Sequence, residues 1–270
     1  MIKKPVVSGS FYPDDKNDLI NILDTVVKKP DILNKNKLFA IISPHAGYSY
    51  SGQTAGAIYG EAKRFKYKNA IIIAPSHYHN SCDFFIGNYS SYQIPLGNLS
   101  TNRDNIQKLI AKPGFSFMTS IDAKEHSLET QLPFLYYINP EIKITPIIFV
   151  RQNLLNAKRL ADYLLEYLDD ETLLVVSTDL SHFHDANKAE AMDSMLIDFI
   201  KNNDTDGLFV GISNKVIEAC GFGGILTLMF INRALNNVQI DNLTYTHSGN
   251  VTNNNDSVVG YFSCGFYKTT

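Results

Sequence analysis

Cysteine is scarce in this chain: three in 270 residues, Cys82, Cys220 and Cys264, an odd number with no CxxC spacing. That pattern supports neither a disulfide framework nor a zinc finger. Long apolar runs are absent too, and no window reaches the roughly eighteen residues that a membrane span needs. The opening Met1-Ile2-Lys3-Lys4-Pro5 is not followed by an apolar run of signal-peptide length. A cytoplasmic, reduced protein with no membrane partner is therefore expected. Charge of one sign is lacking as well. The net charge is −3, and Lys28-Lys29 and Lys63-Arg64 are isolated pairs rather than a stripe, so nucleic acid is not an expected partner. There is no Walker A loop, GxGxxG, HExxH or GxSxG, and phosphoryl transfer, dinucleotide chemistry and serine hydrolysis lack their usual marks.

What is present is a hydrophobic fraction of 44% against 19% charged residues, enough for a sizeable core. No repeat, heptad run or Pro/Gly/Ser linker divides the chain, so residues 1–270 are read as one domain. Apolar runs rich in branched residues at 38–42, 70–74, 144–150 and 173–176 read as buried strands. Helical patterns fall at about 14–26, 52–64, 102–111, 153–168, 187–202 and 222–235. The segments 83–94, 240–248 and 257–268 look like antiparallel or edge strands. The fold class that follows is a three-layer α/β/α domain on a mixed, mostly parallel sheet.

Three of the four buried strands run straight into polar clusters: Ser43-Pro44-His45, Pro75-Ser76-His77-Tyr78-His79, and Ser177-Thr178-Asp179-Leu180-Ser181-His182-Phe183-His184. Five of the seven histidines sit at these strand ends, where open α/β sheets bind their ligands. His45 and His77 are the leading metal-ligand candidates, since neutral imidazole is the commonest transition-metal ligand. The bland alternative is that each caps a loop. His79 and His184 read either as supporting groups or as solvated loop residues. Asp179 and His182 stand at i, i+3. If a helical turn begins there, the carboxylate fixes the imidazole for general acid/base work; otherwise Asp179 is a helix cap.

In Glu125-His126-Ser127-Leu128-Glu129, helical spacing places the two carboxylates on one side. One of them could complete a two-histidine, one-carboxylate iron site. Cys220, before Gly221-Phe222-Gly223-Gly224, reads as a thiol at a helix start, where the dipole favours the thiolate. Cys82 competes through His77-x-His79-x-x-Cys82, and Cys264 reads as core.

These pieces occur in an order that resembles the Memo family, whose prokaryotic members include AmmeMemoRadiSam system protein B. The resemblance runs from Gly9-Ser10-Phe11-Tyr12-Pro13 through Pro44-His45-Ala46-Gly47-Tyr48, Pro75-Ser76-His77, Glu125-His126-Ser127-Leu128-Glu129 with Gln131-Leu132-Pro133, Ser177-Thr178-Asp179-Leu180-Ser181-His182 and Cys220-Gly221 to Ser257-Val258-Val259-Gly260-Tyr261. It implies a fold similar to the class III extradiol non-haem iron dioxygenases. It also implies iron or copper, held by His45, His77 and Cys220, with Asp179 and His182 alongside; zinc is a further option because it takes N and S ligands equally well. The dioxygenases complete their site with a carboxylate where this chain has a cysteine. The expected function is thus a metal-dependent redox protein, of oxygenase type, acting on a small or peptide-linked substrate. The alternative is a non-catalytic protein that sequesters metal or holds a ligand or peptide in the same pocket.

Overall fold

The structure, a computed structural model, describes residues 1–29, 34–79, 81–117 and 124–269. In chain order the elements are β1 (Ile2–Lys3), α1 (Lys16–Val26), β2 (Lys37–Ser43), α2 (Tyr48–Ala62), β3 (Asn69–Pro75), β4 (Phe84–Ile86), β5 (Ser91–Ile94), β6 (Gly97–Ser100), α3 (Arg103–Ile110) and β7 (Phe115–Phe117). There follow α4 (Leu132–Ile138), β8 (Lys143–Phe149), α5 (Leu154–Leu164), β9 (Thr172–Ser177), β10 (His182–His184), α6 (Ala186–Lys201), α7 (Thr205–Ser213), α8 (Phe222–Leu235), β11 (Val238–His247), α9 (Gly249–Thr252) and β12 (Val258–Lys268).

The branched, wholly apolar runs become β2, β3, β8 and β9, the centre of a nine-stranded sheet ordered β10-β12-β2-β9-β3-β8-β4-β7, with β11 also on β12. Strands buried on both faces need no alternation, and these four pair in parallel in the order β2-β9-β3-β8. Antiparallel pairings flank them: β12 on β2 and on β11, and β4 on β8. The sheet is mixed, with its parallel part at the centre. Side chains alternate across it. Ile71, Ile73, Leu174 and Val176 pack with Leu160 of α5 and Leu228 of α8. Ile72, Ala74, Leu173 and Val175 pack with Leu19 of α1, Ile58 of α2 and Phe134 of α4. Two helical layers therefore cover one sheet, which is the expected architecture.

Helix starts follow their caps: Asp15 for α1, Asn153 for α5 and Asp185 for α6 each accept from backbone N–H groups of the first turn. Three helices escaped the periodicity reading, α4, α7 and the four-residue α9. In α4, Pro133 occupies the first turn, where its missing N–H costs nothing. α7 is short and is capped by Asp204. Among the described residues no helix is long and apolar enough to cross a membrane.

Parallel pairing puts the carboxyl ends of β2, β9 and β3 side by side, with Ser43 in register with Ser177 and Ile73 with Val176. The loops carrying His45, Asp179 and His77 consequently leave the sheet from one edge.

Candidate metal centre

His45 follows β2 and precedes α2; it is 2% exposed. His77 follows β3 at the open side, its side chain 29% exposed. The loop before α4 brings a third imidazole, His126. The ring centroids stand 5.4 Å apart for His45–His77, 5.7 Å for His45–His126 and 4.7 Å for the stacked pair His77–His126. One ligand atom from each of the three lies within 4.8 Å of the others, a geometry that can hold a metal ion.

The hydrogen bonds behind the rings determine which nitrogens are bare. Ser177 Oγ donates its one proton to Ser127 O at 2.6 Å. Its contact with His45 Nδ1 at 2.9 Å is therefore donated by the imidazole, which leaves Nε2 as the unprotonated nitrogen, facing Cys220 Sγ. Gln131 Nε2 bonds the same Ser177 Oγ at 3.0 Å and Pro44 O at 2.8 Å, locking the loop. Glu125 Oε1 meets His77 Nδ1 at 2.8 Å, and Oε2 accepts the His77 N–H at 2.8 Å. Burial opposes the charge of Glu125, but the His77 side-chain hydrogen bond, the His77 ring and the backbone N–H groups of His77 and Ser127 outweigh it and bring the carboxyl down to about 2. An ionised carboxylate only accepts, so His77 donates through Nδ1, and Nε2 is the nitrogen left to ligate. An imidazole backed by a carboxylate in this way is the arrangement that orients metal-binding histidines.

Electrostatics point the same way. Burial, then the neighbouring His77 and His126, hold His45 well below the ordinary imidazole range. Burial and His77 lower His126. Neutral imidazole is the form that ligates.

Cys220 Sγ lies 3.2 Å from His45 Nε2 and 3.2 Å from the Asp179 N–H that points at it. The residue stands just before Gly221, the N-cap of α8. A Cβ at Gly221 would meet Ser177 O at 2.5 Å, so only glycine lets the thiol approach the end of β9 this closely. The expected thiolate at a helix start is not what this surrounding favours. Burial, then the Asp179 carboxylate, push the thiol well up, against the pull of the Asp179 N–H, the Thr178 hydroxyl and the Gly221 N–H. The desolvation outweighs the dipole. Iodoacetamide is accordingly expected to label Cys220 of the metal-free protein slowly near neutral pH and faster as pH rises, read by peptide mass spectrometry. Fast labelling at neutral pH would overturn this account.

Asp179 and His182 do not share a helical face. Residues 178–181 are irregular, and His182 opens β10. Asp179 Oδ1 accepts the His45 N–H at 2.8 Å, and Oδ2 is 3.9 Å from His45 Nε2. Burial raises the Asp179 carboxyl despite the His45 N–H and nearby His182. His182 donates its N–H to Glu218, whose other oxygen meets His184 Nε2 at 3.1 Å. His79 donates its N–H to Ser76 Oγ outside the cluster. Cys82 is half-buried and Cys264 lies buried in β12.

Both oxygens of Glu129 are committed elsewhere. They accept the Val6 and Val7 N–H groups and the Tyr12 hydroxyl, and Lys3 Nζ stands 3.7 Å away. Glu129 thus clasps the N-terminal segment, whose Phe11 meets the His126 ring edge-on at 4.9 Å. The residue that strand-end reasoning missed is His126. It follows no strand, and its one signal was its place between two acids in a dense polar run.

A family model described as Memo-like protein matches residues 3–264. A MEMO1 family protein of Methanobrevibacter smithii is 32% identical, with 99% of this chain and 100% of the relative covered. Those of Nitrosopumilus maritimus (31%; 98% and 100%) and Thermoplasma volcanium (32%; 97% and 97%) are similar to it to the same degree. Among solved structures, protein JW3007 of Escherichia coli K12 aligns with a TM-score of 0.44 at 11% identity, covering 83% of this chain and 99% of that one. Matched nearly end to end by the family model and by full-length relatives, the chain belongs to the Memo-like family.

Proposed function

We propose that this protein binds iron or copper at a centre built on His45 and His77, completed by Cys220, with His126 beside it. The observation that carries this reading is the convergence of three imidazoles, two of them held from behind by Ser177 and Glu125. The donor set fits: two imidazoles suit iron, copper or zinc, and the sulfur 3.2 Å from His45 Nε2 adds a soft donor that favours copper(I) or zinc. Bound iron or copper would supply one-electron redox chemistry at this edge of the sheet. The chain's own residues would do the rest. Ser177 and Glu125 orient the rings, the buried Asp179 carboxyl and His182 hold or pass a proton, and the exposed His77 side admits a small or peptide-linked substrate.

The test is metal analysis of protein purified anaerobically without a metal-affinity tag. Near-stoichiometric iron or copper is expected, and its absence under copper(I) and iron(II) loading would overturn the reading. Cys220→Ser is expected to weaken copper(I) at least tenfold while barely changing iron(II), because a hydroxyl is a poor ligand for a soft ion. A second assignment, three imidazoles with no sulfur, is favoured by the 4.8 Å span of His45, His77 and His126. It predicts the reverse: His126→Ala strips the metal and Cys220→Ser does not.

Sequestration without turnover is the alternative function. One observation favours it: among the described residues the Asp179 carboxylate is bonded to the His45 N–H and not to His182. Substrate-dependent oxygen consumption by the metal-loaded protein separates the two.

A further inference from the structure

Between His182 and His184 the chain does something costly. Phe183 has φ of 63°, the left-handed region that glycine favours and bulky residues avoid. It sits where the β10–β12 pairing slips, His182 facing Val259 and His184 facing Val258, so it is the extra residue of a bulge. Glu218 holds both neighbours, accepting the His182 N–H and meeting His184 Nε2, each at 3.1 Å. The outcome of this arrangement is an aromatic ring left 76% exposed, 5.8 Å by centroid from the His182 ring. Burial gains nothing from that placement, so packing does not account for the strain.

The ring stands at the wall of a surface pocket of about 360 Å³, within the size range of small-ligand sites. Tyr261, which feels the Asp179 carboxylate, and the 44% exposed Tyr50 supply two more aromatic walls. Among the described residues no charged side chain lines it. Besides the two tyrosine hydroxyls, its polar groups are the Ser257 hydroxyl, the Asn254 amide, and the hydroxyls of Ser248, which accepts the Val259 N–H, and Thr252, which donates to Ser248 O and accepts the Asn254 N–H. Asn254 Oδ1 accepts the Asp256 N–H, and among the described residues no hydrogen bond occupies its amide nitrogen or the Ser257 hydroxyl.

We infer that Phe183 is a stacking platform, and that the pocket takes a neutral, planar heterocycle with an amide-like edge, of purine or pyrimidine type. Aromatic faces hold such rings by stacking. An amide with hydroxyls beside it matches an edge that alternates donors and acceptors, as asparagine does with adenine. The absence of lining charge selects against carboxylates and phosphates, whose desolvation nothing would offset. The inference deepens the metal-centre reading by giving the centre a neighbouring substrate subsite, and it rests on that reading only for what the ring is held beside.

Ring binding is read on metal-free protein and on the His77→Ala variant, so it stands or fails apart from metal binding. Adenine and uracil are titrated by calorimetry and ligand-observed NMR, with catechol and benzoate as comparisons. Saturable binding of a heterocycle, at least tenfold tighter than either comparison, is expected. Phe183→Trp should preserve the affinity. Phe183→Gly should lower it about tenfold or more while raising the melting temperature, because glycine occupies this backbone conformation without strain. A purely structural Phe183 would move stability and leave affinity alone. Unchanged affinity in Phe183→Gly, no saturable heterocycle binding, or catechol or benzoate bound as tightly would each overturn the assignment.

Discussion

His77→Ala is expected to strip the metal from this protein while leaving its fold intact. The side chain is 29% exposed and its ring stacks on His126 at the open side of the centre, so truncation opens no sealed cavity. It removes one imidazole that the centre is built on. Removing an outer partner of a metal-binding histidine already costs about 10–100-fold in affinity, and loss of the ligand itself should cost more. Glu125→Gln supplies the graded control. The amide still reaches His77 Nδ1 but carries no charge, so metal should weaken by roughly that 10–100-fold and not vanish. Competition titrations against a chelator of known affinity, with circular dichroism to check the fold, give both numbers. Wild-type affinity in His77→Ala would remove His77 from the site, whichever third ligand holds.

Glu129→Ala is expected to have the opposite profile, a large loss of stability with the metal kept. Its carboxylate accepts from Val6, Val7 and Tyr12 and faces Lys3, which is only 5% exposed. Truncation leaves three donors without their acceptor and a buried ammonium without its partner. Breaking a buried pair from one side costs about 3–5 kcal/mol, which for a chain of this size is a fall in melting temperature on the order of 10 °C. The loss should concentrate in the segment up to Tyr12, visible as faster amide hydrogen exchange there. Glu129→Gln, which keeps one acceptor oxygen, should fall between. Metal content should stay near wild type in both variants, since no Glu129 oxygen is spare to ligate. Complete metal loss with the N-terminal segment still protected would make Glu129 the third ligand after all.

The two profiles separate residues that the sequence presents as equals. Glu125 and Glu129 sit four apart in one polar run, and helical spacing suggested a shared side. In the structure only Glu129–Gln131 forms a short 3-10 turn, and the two carboxylates serve different segments, one His77 and the other the N-terminal clasp. Spacing shows which side chains can meet along an element; it does not show which distant strand each one finds.

Periodicity and composition by themselves determined the layered α/β class, the four central strands and the exit of His45, His77 and Asp179 from strand ends. Each follows from local chemistry: branched apolar runs buried on both faces become parallel strands, and parallel strands deliver their carboxyl ends to one edge. Only the tertiary structure decided three further matters. His126 joins the centre because a loop outside the strand-end pattern folds back over it, a long-range placement with no local signature. Asp179 turns to the His45 N–H and not to His182, because the chain after β9 stays out of a helix and the i, i+3 relation never forms a face. Cys220 keeps its proton although it precedes a helix, because burial against β9 costs a thiolate more than the dipole and the N–H groups return. Desolvation depends on what surrounds an atom in space, and that is set by packing rather than by sequence neighbours.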